Sequence, residues 1–233
     1  MGPSMGQNVR GKCLAEFVGT FAIVFFGAGS VCVSRMNESL GLVGISLSFG
    51  ITVAVMVSSL GHVSGAHFNP AVTFMALVTR RIVPSLAVLY VGAQLAGGVV
   101  AAFILRAAFE EPIWKAVNLG TTDLHASLGS LTGLCVEIIL TFFLVLVIFG
   151  TAIDARGHKL GGVAIGAVVC LDILVGGPLT GASMNPARTF GPALMSGTWS
   201  HHWIYWVGPL VGAVSAAWVY EQWMAPRDPE STK

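Results

Sequence analysis

Long apolar runs broken by short polar punctuation dominate this chain. Six of them, at 13–34, 41–60, 83–105, 132–152, 160–179 and 202–224, carry almost no charge. Each is close to the roughly 20 residues a helix needs to cross the hydrocarbon core of a bilayer. They predict an all-α membrane protein with six transmembrane helices. Two shorter apolar stretches follow Asn69 and Asn185. The first, about ten residues, spans roughly 15 Å at the helical rise per residue, which reaches only the midplane.

The short stretches are copies of one another. Gly61 to Phe74 reads Gly-His-Val-Ser-Gly-Ala-His-Phe-Asn-Pro-Ala-Val-Thr-Phe, and Gly177 to Phe190 reads Gly-Pro-Leu-Thr-Gly-Ala-Ser-Met-Asn-Pro-Ala-Arg-Thr-Phe, without a gap. Asn69 and Asn185 stand 116 positions apart in a chain of 233, so the sequence reads as one unit written twice. Glu16 and Thr20 are echoed by Glu137 and Thr141, and Val91-Gly92 by Val207-Gly208. The units are 13–116 and 132–224, joined by an outer loop at 117–131 and flanked by tails at 1–12 and 225–233. Each unit holds three spans. An odd number makes the second unit enter the bilayer from the opposite side, giving an inverted repeat.

Asn is a favoured N-cap and Pro a favoured first helical residue, so Asn69-Pro70-Ala71 and Asn185-Pro186-Ala187 each read as the start of a re-entrant half-helix. The glycine-rich strips before them, Gly61 to Phe68 and Gly177 to Met184, are expected to be non-helical. Irregular backbone is tolerated at membrane depth only where it is buried in protein or lines a watery cavity, so the strips predict a pore. Carbonyls around Gly65, Ala66 and His67 and around Gly181, Ala182 and Ser183 would accept hydrogen bonds from a file of water. The facing positive helix ends, each worth roughly half an elementary charge, would disfavour cations at the midplane. The two Asn amides would donate to the passing water oxygen.

Composition agrees with a lipid setting. Hydrophobic residues make up 55% and charged residues 10%, leaving too little polar surface for a water-soluble globule of this size. With both termini in the cytoplasm, the inner segments hold Arg10, Lys12, Arg80, Arg81, Arg156, Lys159, Arg227 and Lys233, and the outer loops only Arg35, Arg106 and Lys115. That is the positive-inside bias. A net charge of +1 with dispersed basic residues excludes nucleic acid as a partner. Cys13, Cys32, Cys135 and Cys170 lack metal-ligand spacing and read as apolar packers. The histidines form no ligand pattern with acids, so neither metal, cofactor nor catalytic residue is expected. Asn37-Glu38-Ser39 has the form of a glycosylation acceptor in an outer loop.

Along essentially its whole length the chain resembles the aquaporins, the major intrinsic protein family. The matched Gly-Ala-His-Phe-Asn-Pro-Ala-Val-Thr and Gly-Ala-Ser-Met-Asn-Pro-Ala-Arg-Thr-Phe-Gly-Pro-Ala segments carry the resemblance. It implies the aquaporin fold, a multi-pass membrane channel for water that turns away protons and ions, and four subunits, each with its own pore. It also implies a second constriction, an aromatic/arginine filter, of Phe49, Ile173, Ala182 and Arg188. Water-selective members usually carry His where this chain has Ile173, so small neutral solutes such as ammonia, hydrogen peroxide, dissolved gases or glycerol enter the expectation. Glycerol channels carry Asp after the filter Arg, whereas Thr189 stands here, and Ala193 with Tyr205-Trp206 resembles the water-channel branch. The resemblance makes Glu16 and Glu137 acceptors for backbone amides of the re-entrant loops.

Other positions are less determined. Asp172 either caps the Gly176-Gly177 strip or faces a neighbouring subunit. His62 is expected to brace the first loop, and His201 to Trp203 to anchor at the interface. A secondary transporter is the rival class, since it too can combine inverted repeats with broken helices. It would need coupling charges at the midplane, and Asp172 is the sole acid near the expected pore.

Overall fold

A computed structural model describes residues 5–38, 40–158 and 160–225. Ser39 of the glycosylation sequence, Lys159, Arg227 and Lys233 of the charge comparison, and the ends of both tails lie outside them.

The protein is all-helical, and the described residues form six spans, two half-helices, a short helix at Glu111–Ala116 and a 3-10 turn at Asn118–Gly120. The first span runs through Met5–Ala22, a π-helical turn at Ile23–Ala28 and Gly29–Asn37. The second is Gly41–Ser64 and the third Pro84–Ala108. The fourth comprises Ser130–Ile148 and a π turn at Phe149–Ile153, and the fifth is Gly161–Thr180. The sixth is Ile204–Val219 continued by a π turn at Tyr220–Met224. Among the described residues, the first five spans, with their π turns included, are each long and apolar enough to cross a membrane, and the sixth runs on through its π turn to Met224.

The half-helices, Pro70–Val78 and Pro186–Ser196, start where the tripeptides predict. Asn69 is extended and its Oδ1 accepts from the Ala71 amide at 2.8 Å. Asn185 is also extended, and its Oδ1 accepts from the amides of Ala187 at 3.0 Å and Arg188 at 3.2 Å. Each cap satisfies amides that open a helix inside a low-dielectric medium.

The strips differ from expectation. The second span stays helical to Ser64 and the fifth to Thr180, through Pro178, so the irregular backbone shrinks to the few residues after Gly65 and Gly181. Both glycines take the left-handed conformation, at φ 89° and 81°, that stops a helix. Within lipid every backbone group needs a partner, and that demand outweighs the breaking tendency of Gly and Pro. Asp172 therefore has no strip to cap. It is buried inside the fifth span, with Oδ2 unpartnered.

Packing follows the inverted repeat. The first span packs on the third and the fourth on the sixth, while the second and fifth meet across the two units. The third span cradles the second half-helix and the sixth cradles the first. A Cβ on Gly97 would stand 2.3 Å from the Phe17 carbonyl, and one on Gly212 the same 2.3 Å from the Ile138 carbonyl. Those contacts correct the pairing read at Val91-Gly92 and Val207-Gly208. The matching residues of the last spans are instead Tyr90, whose hydroxyl donates to Ser64 O at 2.7 Å, and Tyr205, whose hydroxyl donates to Thr180 O at 2.8 Å.

Candidate pore

A cavity of about 280 Å³ runs between the two units. Asn69 and Asn185 both line it, whereas Pro70, Ala71, Pro186 and Ala187 are buried behind them. The half-helix starts are tied together. Asn69 Nδ2 donates to Met184 O at 2.8 Å, and Asn185 Nδ2 donates to Phe68 O at 2.9 Å. Each carboxamide has two N–H groups, so one of each pair is spent on the opposite loop and one remains. Sequence reasoning assigned both amides to the lumen and missed the Phe68 and Met184 carbonyls. Nothing in a linear pattern shows which residues of two loops 116 positions apart come into contact.

Gly65, Ala66, His67, Phe68, Ala182, Ser183 and Met184 contribute to the cavity wall. Gly181 does not, because it backs onto Thr122, where an added Cβ would meet the Thr122 side chain at 2.9 Å. Positive φ at Ala66, Phe68, Ala182 and Met184 alternates along both loops. Such strain persists only where the surroundings over-determine the backbone.

The surroundings are two carboxylates. Glu16 Oε1 accepts from Ser64 Oγ at 2.7 Å and the His67 amide at 3.0 Å, and Oε2 accepts from the Phe68 amide at 2.6 Å and Gln94 Nε2 at 2.8 Å. Glu137 repeats the pattern. Its Oε1 accepts from Thr180 Oγ1 at 2.7 Å and the Ser183 amide at 2.9 Å, and its Oε2 from the Met184 amide at 2.8 Å. Both glutamates are fully buried. A charge so placed is tolerated only because its lone pairs are met by such donors.

The lumen-facing polar groups are oriented by a second layer. Thr73 Oγ1 donates to Asn69 O at 3.0 Å and receives from Gln94 Nε2 at 2.9 Å. Its single proton is used, so the contact with His67 Nδ1 at 3.1 Å makes that nitrogen the donor and leaves Nε2 as an acceptor. In the second unit Ser183 Oγ donates to Asn185 O at 2.9 Å and contacts Thr189 Oγ1 at 2.6 Å, which meets Thr122 Oγ1 at 2.7 Å. His62 is exposed in the last turn of its span and is not a wall residue.

Phe49, Ile173, Ala182 and Arg188 all line the same cavity. Arg188 is buried at 4% exposure, its Cζ lies 4.7 Å from the Phe49 ring centroid, and its Nη1 donates to Gly120 O at 2.6 Å. Its Nε has no partner among the described residues. Gly120 and Thr122 belong to the connecting loop, which sequence reasoning treated as a spacer. The backbone there takes positive φ at Asn118, Leu119 and Gly120, a path that residue type alone does not announce. His201 Nδ1 meets Asp123 Oδ1 at 3.0 Å, so this histidine ties the same loop rather than serving only as an interface anchor.

Residues 5–220 match the family model described as Major intrinsic protein. The chain is 44% identical to "Probable aquaporin TIP3-2" of Arabidopsis thaliana over 91% of its own length and 83% of that protein. It is 43% identical to "Aquaporin-4" of Mus musculus over 91% of itself and 67% of that chain. Among solved structures, the aquaglyceroporin from Plasmodium falciparum superposes with a TM-score of 0.83, covering 94% of this chain and 98% of that one. At 23% identity that likeness establishes the fold.

Proposed function

This chain belongs to the major intrinsic protein family of membrane channels, the aquaporins, and we propose that it conducts water passively while excluding protons and ions. The observation that carries this reading is the crossed pair of bonds from Asn69 to Met184 O and from Asn185 to Phe68 O. It fixes both half-helix N-termini at one point of the cavity and leaves one N–H on each carboxamide. Two converging positive helix ends raise the energy of a cation there. A water oxygen that accepts from both amides cannot accept from a neighbouring water, so the proton wire is interrupted.

The buried Arg188 beside the Phe49 ring is a second point of charge rejection, and the carbonyls of the loops replace hydrogen bonds that a water loses on leaving bulk. Ile173 and Ala182 complete this ring without a hydrogen-bond donor on either side chain. That favours a second reading of selectivity, in which ammonia, hydrogen peroxide, dissolved gases or, slowly, glycerol also pass. We assign both termini to the cytoplasm on the distribution of Lys and Arg. We also assign a homotetramer as the assembly.

Stopped-flow light scattering on reconstituted vesicles tests the function. Water flux above that of empty vesicles, proportional to the gradient and with a low activation energy, is the expected result. Flux that saturates would instead indicate a transporter. Water flux no greater than that of empty vesicles would remove the proposal.

A further inference from the structure

We infer that Gly27, on the π turn of the first span, is a positioning residue that sets how far the Phe49 ring reaches into the pore. The inference rests on the filter reading above. A Cβ on Gly27 would stand 2.1 Å from Phe49 Cε1, 2.3 Å from Cδ1 and 2.5 Å from Cζ, three consecutive atoms along one edge of the ring. The ring's face meets the other constraint, the Arg188 guanidinium, whose Cζ is 4.7 Å from its centroid. Phe49 is thus held between a bare stretch of backbone and the filter cation.

The turn itself is part of the seat. A π turn holds an extra residue, which locally displaces the helical ladder. Here hydroxyls reach the carbonyls at that point. Ser48 Oγ, from the residue before Phe49, donates to Phe26 O at 2.8 Å, and Ser30 Oγ donates to Gly27 O at 2.7 Å. The Ser48 bond pins the second span to the first at the level of the ring.

The second span cannot retreat to make room. On its far side a Cβ at Gly50 would lie 2.0 Å from Cys170 Sγ and 2.5 Å from the Gly166 carbonyl of the fifth span. With the backbone wedged between two neighbours, a methyl group added at position 27 displaces the ring, and the open direction is the cavity that Phe49 lines. Gly27 therefore sets the pore width at the filter although it is not itself a wall residue.

A double-mutant cycle on reconstituted full-length protein tests this. The variants are Gly27→Ala, Phe49→Leu and the pair, each measured for water and for ammonia flux per channel. Gly27→Ala is expected to lower water flux about tenfold, equivalent to a barrier about 1.4 kcal/mol higher, with ammonia reduced by a different factor. In the Phe49→Leu background the same alanine should have little effect, because the ring it collides with is gone. Equal losses from Gly27→Ala in both backgrounds would mark Gly27 as a general packing residue and overturn the inference.

If Gly27→Ala does not fold, a folded, conducting double variant supports the collision, and a double variant that also fails to fold overturns it. A conducting wild type whose cycle is additive removes only this inference. A wild type without flux removes the channel reading as well.

Discussion

The amide of Phe68 donates to Oε2 of Glu16 at 2.6 Å, so the loop that leads into the first half-helix is anchored to a carboxylate on a different helix. Glu137 holds the Met184 amide in the same way at 2.8 Å. The two anchors fix the loops whose carbonyls in turn hold Asn185 and Asn69.

Replacing Glu16 with Gln removes the charge and places an NH₂ among donors. We expect a loss of about 1.5–3 kcal/mol of stability, the range for hydrogen bonds to charged groups. Thermal unfolding followed by tryptophan fluorescence would measure it. Vesicle proton leak should change little. A leak that moved while stability held would assign Glu16 to a proton path instead.

Arg188→Val takes away the cation of the proposed filter and the bond to Gly120 O. Cation and proton leak should rise by about tenfold or more, a factor corresponding to about 1.4 kcal/mol of barrier. Water flux should be retained. Ion-selective electrode traces that match the wild type would show that the Asn pair alone excludes ions.

Ile173→His adds a ring donor to a wall that has none at that place. Solutes larger than water should lose flux severalfold relative to water, read from paired water and glycerol or ammonia measurements on one vesicle preparation. An unchanged ratio would mean that Ile173 does not define the narrowest section.

Asp154 closes the loop after the fourth span onto the end of the sixth. It accepts from Arg156 Nη2 at 2.5 Å, from the Arg156 amide at 2.9 Å and from the Tyr220 hydroxyl at 2.9 Å, while Arg156 Nη2 also reaches Met224 O at 2.8 Å. The guanidinium and then the amide of Arg156 hold this carboxyl well below the ordinary Asp range. A depressed folded pKa means the contribution is present above the unfolded value of about 3.9 and is lost only as pH falls through the lower folded one. Hydrogen exchange of the loop should therefore be equally protected between about pH 7 and pH 5 after correction for intrinsic rates. Asp154→Asn should release it throughout that window. Protection that faded by pH 5 in the wild type would contradict the tie.

Gly212→Val would drive a branched side chain into the Ile138 carbonyl, where even a Cβ stands at 2.3 Å. We expect a penalty near or above about 3 kcal/mol, the upper end for overpacked sites. Gly92→Ala, with open space around it, should be silent in the same fluorescence-detected melting assay.

How much could be read in advance varies with the kind of interaction. Spans were legible because lipid demands long apolar runs, and half-helix starts because Asn and Pro act on their own neighbouring amides. Where the second span ends was misread, since glycine and proline propensities measured for water-exposed backbone understate the need for partners in lipid. Val91-Gly92 paired with Val207-Gly208 at the right offset for the loops and the wrong one for the last spans, because insertions between elements shift the register from one element to the next.

What the sequence determined by itself is local or periodic: six crossings, two capped half-helices, an inverted repeat, and the identity of Asn69, Asn185, Glu16, Glu137 and Arg188 as residues needing a reason to sit in a membrane. Only the tertiary structure decided who answers them. Met184 and Phe68 carbonyls take the Asn amides, Gly120 from the connecting loop takes Arg188, and Gly27 leaves the space that Phe49 fills. Each of these partners is a backbone atom or an absent side chain. Every residue has the same backbone atoms and every glycine the same missing Cβ, so residue type cannot single them out until the chain has folded.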